Sequence, residues 1–235
     1  PGIFFSGNRA HERGKILTPK VANIGFSTHR RYLNSHTNMN IAFLASHRGS
    51  NMQSIIDACK SGLLSATPVV VISNNIDSGA LARAKREGIP ACHLSSQSFP
   101  DEAELDQMIV NSLLQYNTEL VVLAGYMKRI GPLVLAAFPG RVINIHPCLL
   151  PKYGGQGMYG MRVHEAVIAA GDKESGVTIH VVNDEYDKGA ILAQRKVSVE
   201  EGDSAESLAQ RVLALEHTLY VDTIRNIIAG KVLLP

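Results

Sequence analysis

Cysteine is scarce in this sequence, and its placement excludes more than its number does. Cys59, Cys92 and Cys148 are the full set. They are odd in number and far apart, with no Cys-x-x-Cys pair. That argues against a disulfide framework or a zinc knuckle and suits a reducing cytosol, so a cytoplasmic location is expected. Long apolar runs are missing as well: none approaches the ~18–20 residues of a membrane span, and no membrane partner is expected. Positive charge is short over most of the chain. The formal charge is +2, yet residues 1–38 hold six basic residues against one acid, Glu12, which leaves the remainder with 17 basic and 20 acidic residues. A mildly acidic remainder offers no stripe for nucleic acid, so no nucleic-acid partner is expected. A negatively charged small ligand would be held by local amides and a few side chains. Between the first strand and its helix there is neither a G-x-G-x-x-G fingerprint nor a Walker lysine, which disfavours a dinucleotide or a nucleoside triphosphate there. Internal repeats, low-complexity tracts and interdomain linkers are also absent.

What is present is an ordinary globular composition, 45% hydrophobic and 19% charged over 235 residues, enough for one sizeable core. Residues 1–38 read differently from the rest: basic, rich in Ser, Asn and His, and without periodicity. A targeting segment has that composition. The preferred reading is a disordered extension or an upstream addition, because Met39 stands just before the first strand, 40–45. From Met39 to the end, 39–235, the chain reads as one domain. Strands at 40–45, 69–72, 91–94, 120–124 and 142–146 alternate with helices after Gly49 and at 79–87, 101–116 and 131–138. Runs such as Val69-Val70-Val71-Ile72 are apolar throughout, as strands buried on both faces are. This rhythm predicts an α/β fold: a Rossmann-like, mostly parallel twisted sheet with helices on both faces. After residue 151 a helix at 162–170 and two extended segments, 176–183 and 190–199, predict an antiparallel addition near the C-terminus. An amphipathic helix at 204–229, capped by Ser204, closes the chain.

Three places could carry chemistry. The stretch Val142–Pro151 sets Asn144 and His146 two residues apart, on one side of a strand whose carboxyl end Pro147 closes. An amide there can donate to a developing oxyanion. An imidazole can stabilise the same charge as a cation, or move a proton between amine and leaving group. A lone His near a strand end can equally be a satisfied structural residue. The second place is Arg48-Gly49-Ser50-Asn51, where a glycine and the amides of a helix start suit an anion; Ser50 and Asn51 suit a plain N-cap equally well. The third is Asp187, in a glycine-flanked turn, which would orient His146 and raise its pKa if the two met. His146, His164, His180 and Asp184 lack a compact ligand spacing, so no metal is expected. Cys148 shows no sign of a base aimed at it.

From Met39 to Leu234 the chain resembles the folate-dependent formyltransferases, and among them the glycinamide ribonucleotide formyltransferases. The motifs are Gly49-Ser50-Asn51, Leu123-Ala124-Gly125-Tyr126-Met127, Asn144-Ile145-His146-Pro147 with Leu149-Leu150-Pro151, Asp184-Glu185-x-Asp187, and Glu216-His217. The resemblance implies a formyl transfer from the co-substrate 10-formyltetrahydrofolate to the amine of phosphoribosylglycinamide, in purine synthesis, without an acyl-enzyme or a metal. It implies Asn144, His146 and Asp187 as the catalytic group. Gly49, Ser50 and Asn51 would hold the ribose phosphate, with Gly125 and Pro147 also against the substrate and Glu216 on the glycinamide amine. Met127, Lys128, Arg129 and Ile130, with Asn144, would lie along the pterin. The expected partners are these small molecules, and the expected state is a monomer or homodimer. Three departures stand out. Glu102 replaces the arginine that many relatives direct at the folate's acidic tail, so that contact is not carried over. Cys148 replaces the usual serine. The segment Gly154–Gly160 is longer than in many bacterial relatives and reads either as a mobile loop over the folate site or as a surface excursion. Two other readings share these residues: a 10-formyltetrahydrofolate hydrolase, which passes the formyl group to water, and a silent folate- or nucleotide-binding module.

Overall fold

Apolar runs and capped amphipathic stretches alternate along the chain, and each becomes the element its pattern dictates. The computed structural model describes residues 38–235, so the expected extension over 1–38 lies, apart from Asn38, outside the described residues. In order, the elements are β1 (Met39–Leu44), α1 (Ser50–Lys60), β2 (Ala66–Ser73), α2 (Gly79–Arg86), β3 (Ala91–His93), α3 (Glu102–Gln115) and β4 (Leu120–Leu123). Then come α4 (Pro132–Ala137), β5 (Val142–His146), α5 (Met161–Ala169), β6 (Glu174–Val181), β7 (Ile191–Ser198) and α6 (Ala205–Ile228).

The strands form one seven-stranded sheet, ordered β3-β2-β1-β4-β5-β6-β7. The first five are parallel, and β6 and β7 join antiparallel, as expected. Alternation in β1 shows the layering, since successive strand residues face opposite ways. Ile41 and Phe43 pack with residues of α1, α2, α5 and α6, whereas Ala42 and Leu44 pack with those of α3 and α4. Helices therefore cover both faces. Strand order reverses between β2-β1 and β4-β5, and such a switch point opens a crevice at the carboxyl ends of the strands.

Two local expectations are corrected. β2 starts at Ala66, three residues before the apolar run, despite Pro68. The missing N–H of proline is tolerated because the register with β1 shifts between Ile41 and Ala42, directly after the Ile41–Pro68 pair. Asp101 is not in the first turn of α3. It is the N-cap, accepting from the N–H groups of Ala103 and Glu104, which satisfies two donors the helix leaves free.

Tyr220 ties the long closing helix to the sheet. It is fully buried on α6, and its hydroxyl lies 3.0 Å from the Leu123 carbonyl and 3.1 Å from that of Ile143. Those carbonyls belong to β4 and β5, so α6 is fixed against the two strands that lead into the crevice.

Candidate active site

The last residues of β5 and the antiparallel strand beside it build the centre. Pairing sets Asn144 opposite His180 and His146 opposite Thr178. The Asn144 amide nitrogen lies 3.1 Å from His180 Nε2, and His180 Nδ1 lies 2.9 Å from the Val181 carbonyl. A carbonyl only accepts, so Nδ1 carries a proton, and Nε2 is left facing the Asn144 amide nitrogen. Asp187 closes the group. Its carboxylate stands 3.4 Å from His180 Nε2 and 3.6 Å from His146 Nδ1, and it accepts from the Gly155 N–H at 2.9 Å. His146 Nε2 in turn donates to the Tyr153 carbonyl at 2.9 Å. Asn144, His146 and Asp187 are thus brought together as expected, and His180 joins them.

Burial sets the electrostatics. It pulls the His146 pKa below its ordinary value, against the opposing pull of Asp187 and the Tyr153 carbonyl. Burial works the other way on Asp187, but the contacts with His180, His146 and the Gly155 N–H outweigh it and keep that carboxyl below its usual range. The thiol of Cys148 is pushed up to about 12 by burial and by Asp187, and it donates to the Lys152 carbonyl. It is a packed thiol, not a nucleophile.

The loop after His146 is held from beneath. Thr178 donates to the Cys148 carbonyl at 2.6 Å and accepts from the Leu150 N–H at 3.0 Å. Pro147 stands half-buried at its start. The glycine-rich segment that follows is tied in at two points, through Gly155 to Asp187 and through Met158, which packs with Cys148, Leu150 and Val163.

At the carboxyl end of β1, Gly49 is the N-cap of α1, in the left-handed region at φ +69°. A Cβ there would come within 3.0 Å of Ala80 on α2, so both backbone and neighbour demand glycine. The plain-cap reading of Ser50 and Asn51 is corrected, because α1 has no side-chain cap. Asn51 instead crosses to the neighbouring α6 and donates to Glu216 at 2.6 Å. Glu216 lies one helical turn before Tyr220, and burial pushes its pKa up to about 6, against the Asn51 hydrogen bond.

The segment from Gly125 to Ile130 leaves the end of β4. The Gly125 carbonyl accepts from Ser46 N–H, and Ser46 Oγ accepts from Met127 N–H at 2.8 Å. Met127, Lys128 and Arg129 are exposed, while Ile130 turns inward to the core around α3 and α4. Arg129 donates to the Asp184 carbonyl at 2.7 Å, linking this segment to the turn that carries Asp187. Asp184 itself is exposed and lies outside the cluster.

His180 is the member of the group that sequence reasoning missed. The sequence offers it only as a candidate metal ligand beside Asp184, and its place opposite Asn144 depends on a pairing register between segments 36 residues apart. The signal available is the period-2 spacing of Thr178 and His180 on a predicted strand.

A family model described as formyl transferase matches residues 39–224. A chloroplastic phosphoribosylglycinamide formyltransferase of Arabidopsis thaliana is 42% identical over 78% of this chain, which spans 63% of that protein's length. The phosphoribosylglycinamide formyltransferase of Escherichia coli is 39% identical over 77% of this chain and 84% of its own. The crystal structure of glycinamide ribonucleotide transformylase 1 from Symbiobacterium toebii superimposes with a TM-score of 0.80 at 36% identity, covering 89% of this chain and 96% of that one. Motif order, sheet and cluster agree with that likeness, and the chain belongs to the formyl transferase family, among its phosphoribosylglycinamide formyltransferases.

Proposed function

We propose that the protein transfers a formyl group from 10-formyltetrahydrofolate to the amine of 5'-phosphoribosylglycinamide, a step of purine biosynthesis, by direct attack of the amine on the formyl carbon. One observation carries the reading: an amide, a buried imidazole and a carboxylate converge at the end of β5 beside a thiol too basic to attack. An oxyanion donor and a proton acceptor are what a tetrahedral intermediate needs, and no covalent nucleophile is required.

Asn144 has two amide hydrogens. One is engaged by His180 Nε2, which fixes the orientation of the group, and the other is free for the oxyanion, a contribution of about 3 kcal/mol. Burial keeps His146 neutral near pH 7, so it acts as a base rather than as a standing cation. With Nε2 given to Tyr153, the basic nitrogen is Nδ1, the one that faces Asp187. A proton taken there is held between imidazole and carboxylate, and Asp187 stabilises the imidazolium that forms; as the intermediate collapses, the bond between the formyl carbon and the folate nitrogen breaks and that nitrogen leaves with the proton. Glu216 accepts from the glycinamide amine, and the amides after Gly49, with Ser50 and Asn51, hold the ribose phosphate. Gly125 and Pro147 flank the reacting carbon.

The folate co-substrate supplies the formyl group. Met127, Lys128 and Arg129 would hold its pterin. The fit is physical: Met127 is an apolar side chain, 40% exposed, on a segment braced from behind by Ser46. Ile130 anchors that segment in the core instead of lining its surface.

The test follows loss of 10-formyltetrahydrofolate with and without phosphoribosylglycinamide. Loss that depends on the ribonucleotide supports transfer. Loss at the same rate without it would assign the protein as a hydrolase, and no loss in either case as a silent binding module.

A further inference from the structure

A second buried carboxylate, besides Glu216, lies outside the formyl cluster with no cation beside it. Asp106 on α3 is 5% exposed, and no ion pair among the described residues includes it. Its oxygens accept from two backbone groups at the start of α4, Leu133 N–H at 2.7 Å and Val134 N–H at 3.4 Å. The helix has no cap of its own: its N-cap is Gly131, and no side-chain hydrogen bond is made there. A carboxylate from another helix therefore does the capping. Burying a charge is costly unless it is hydrogen-bonded, so this one is retained for what it holds in place.

Gly131 shows how close the fit is. Its backbone, at φ −77° and ψ 161°, is ordinary for any residue. A Cβ built on it, however, would fall inside the Asp106 carboxyl group. The glycine is required by the approach of the carboxylate and not by conformation. The charge of Asp106 adds to the burial that pushes the Tyr126 hydroxyl, at the other end of the segment, up to about 12. Tyr126 and Gly131 bracket Met127–Ile130.

We propose that Asp106 and Gly131 form a positioning pair that fixes the distal end of the Met127–Ile130 segment and so sets affinity for the folate co-substrate. Ser46 holds the near end at Met127, Ile130 is the core anchor, and the exposed Lys128 and Arg129 lie between them. The inference rests on the proposed function only in naming what those residues hold. An ordinary structural cap would lower stability and disturb both substrates alike; a positioning pair separates them.

The experiment compares the parent protein with Asp106→Asn and Gly131→Ala, varying each substrate in turn. The Asp106→Asn change keeps the shape but sets an amide N–H2 against a backbone N–H, and Gly131→Ala displaces the carboxylate without removing its charge. For each variant, KM for 10-formyltetrahydrofolate is expected to rise about tenfold, the size of one lost charge-assisted hydrogen bond. KM for the ribonucleotide and kcat are expected to stay within about twofold. Amide hydrogen exchange over residues 126–134 is expected to quicken while the rest of the sheet is unchanged. Equal rises in both KM values, or an unchanged folate KM in a folded variant, would overturn the proposal. If the parent transfers no formyl group, the proposed function falls, and the exchange measurement still decides whether the pair positions the segment; unchanged exchange over 126–134 would overturn that too.

Discussion

The cluster at the end of β5 and the junction of α1 with α6 treat their polar atoms differently. Around Asn144, every ring nitrogen of His146 and His180 has a neighbour, and Asp187 is shared between the two rings and a backbone N–H. At the junction, Asn51 Oδ1 and His217 Nε2 are buried with no partner. Glu216 there is buried with the single hydrogen bond from Asn51, and α1 starts without a side-chain cap. Unpartnered buried groups are costly, commonly ~1–3 kcal/mol each. The contrast separates two jobs. Groups that move protons and stabilise charge are oriented in advance by their neighbours. Under the proposed function, the groups that would grip the ribonucleotide are the ones left short of partners, so that binding would complete them.

The largest expected effect breaks the oriented end. His146→Ala is expected to lower kcat by about 10²–10⁴ while KM for either substrate changes little, since a general base acts in the transition state. Steady-state kinetics with both substrates varied checks this, and a preserved kcat would remove His146 from the mechanism. Asp187→Asn sharpens the same point. Asp187 lies at φ +56°, a conformation asparagine tolerates, so the backbone turn survives. Because Asp187 raises the His146 pKa against burial, its loss is expected to carry the acid limb of the kcat profile to lower pH along with a fall in rate. An acid limb that moves upward would contradict the assignment of His146 as the base.

The two ends also differ in how far the sequence exposes them. Asn144 and His146 are legible because strand alternation puts i and i+2 on one side and Pro147 closes the strand. Gly49 is legible as a close-approach glycine. What escapes depends on distant pairing. His180 acquires its role from the antiparallel register that sets it opposite Asn144. Asn51 looks like a cap because caps are local, yet its side chain runs to a helix 165 residues away. The start of β2 at Ala66 escapes the apolar run 69–72, because the register shift beside Pro68 belongs to the neighbouring strand. Periodicity reports faces, and capping chemistry reports ends; neither reports which side chain a distant element will deliver.

At the gripping end the expected effects are smaller and fall on binding. Glu216→Gln keeps an oxygen that can accept from Asn51 while removing the charge. KM for phosphoribosylglycinamide is expected to rise about tenfold, in the range of a lost charged hydrogen bond, with kcat and KM for the folate changed far less. If Glu216→Gln depressed kcat as deeply as His146→Ala, the division between oriented and gripping ends would not hold. Binding should also weaken in wild type as pH falls through about 6, because Glu216 is protonated there.

The last effect is on stability, and its sign separates the two ends most cleanly. The folded pKa of Glu216, about 6, lies above its ordinary 4.5, so the folded state binds the extra proton between those values. Its contribution is therefore full below pH 4.5 and lost as pH rises through about 6. The ionised group costs the fold about 2 kcal/mol at neutral pH, at about 1.36 kcal/mol per pKa unit. The cluster runs the other way. His146 is lowered from 6.5, so its contribution is present above that value and lost as pH falls through the folded pKa. Asp187 is lowered from 3.8 and loses its contribution as pH falls through its own folded pKa. Glu216→Gln is then expected to stabilise the protein by about 2 kcal/mol more at about pH 7.5 than at about pH 4.5 relative to wild type, read from denaturant midpoints. A difference independent of pH would mean that Glu216 meets a cation in the folded protein, and that the junction is as fully partnered as the cluster beside it.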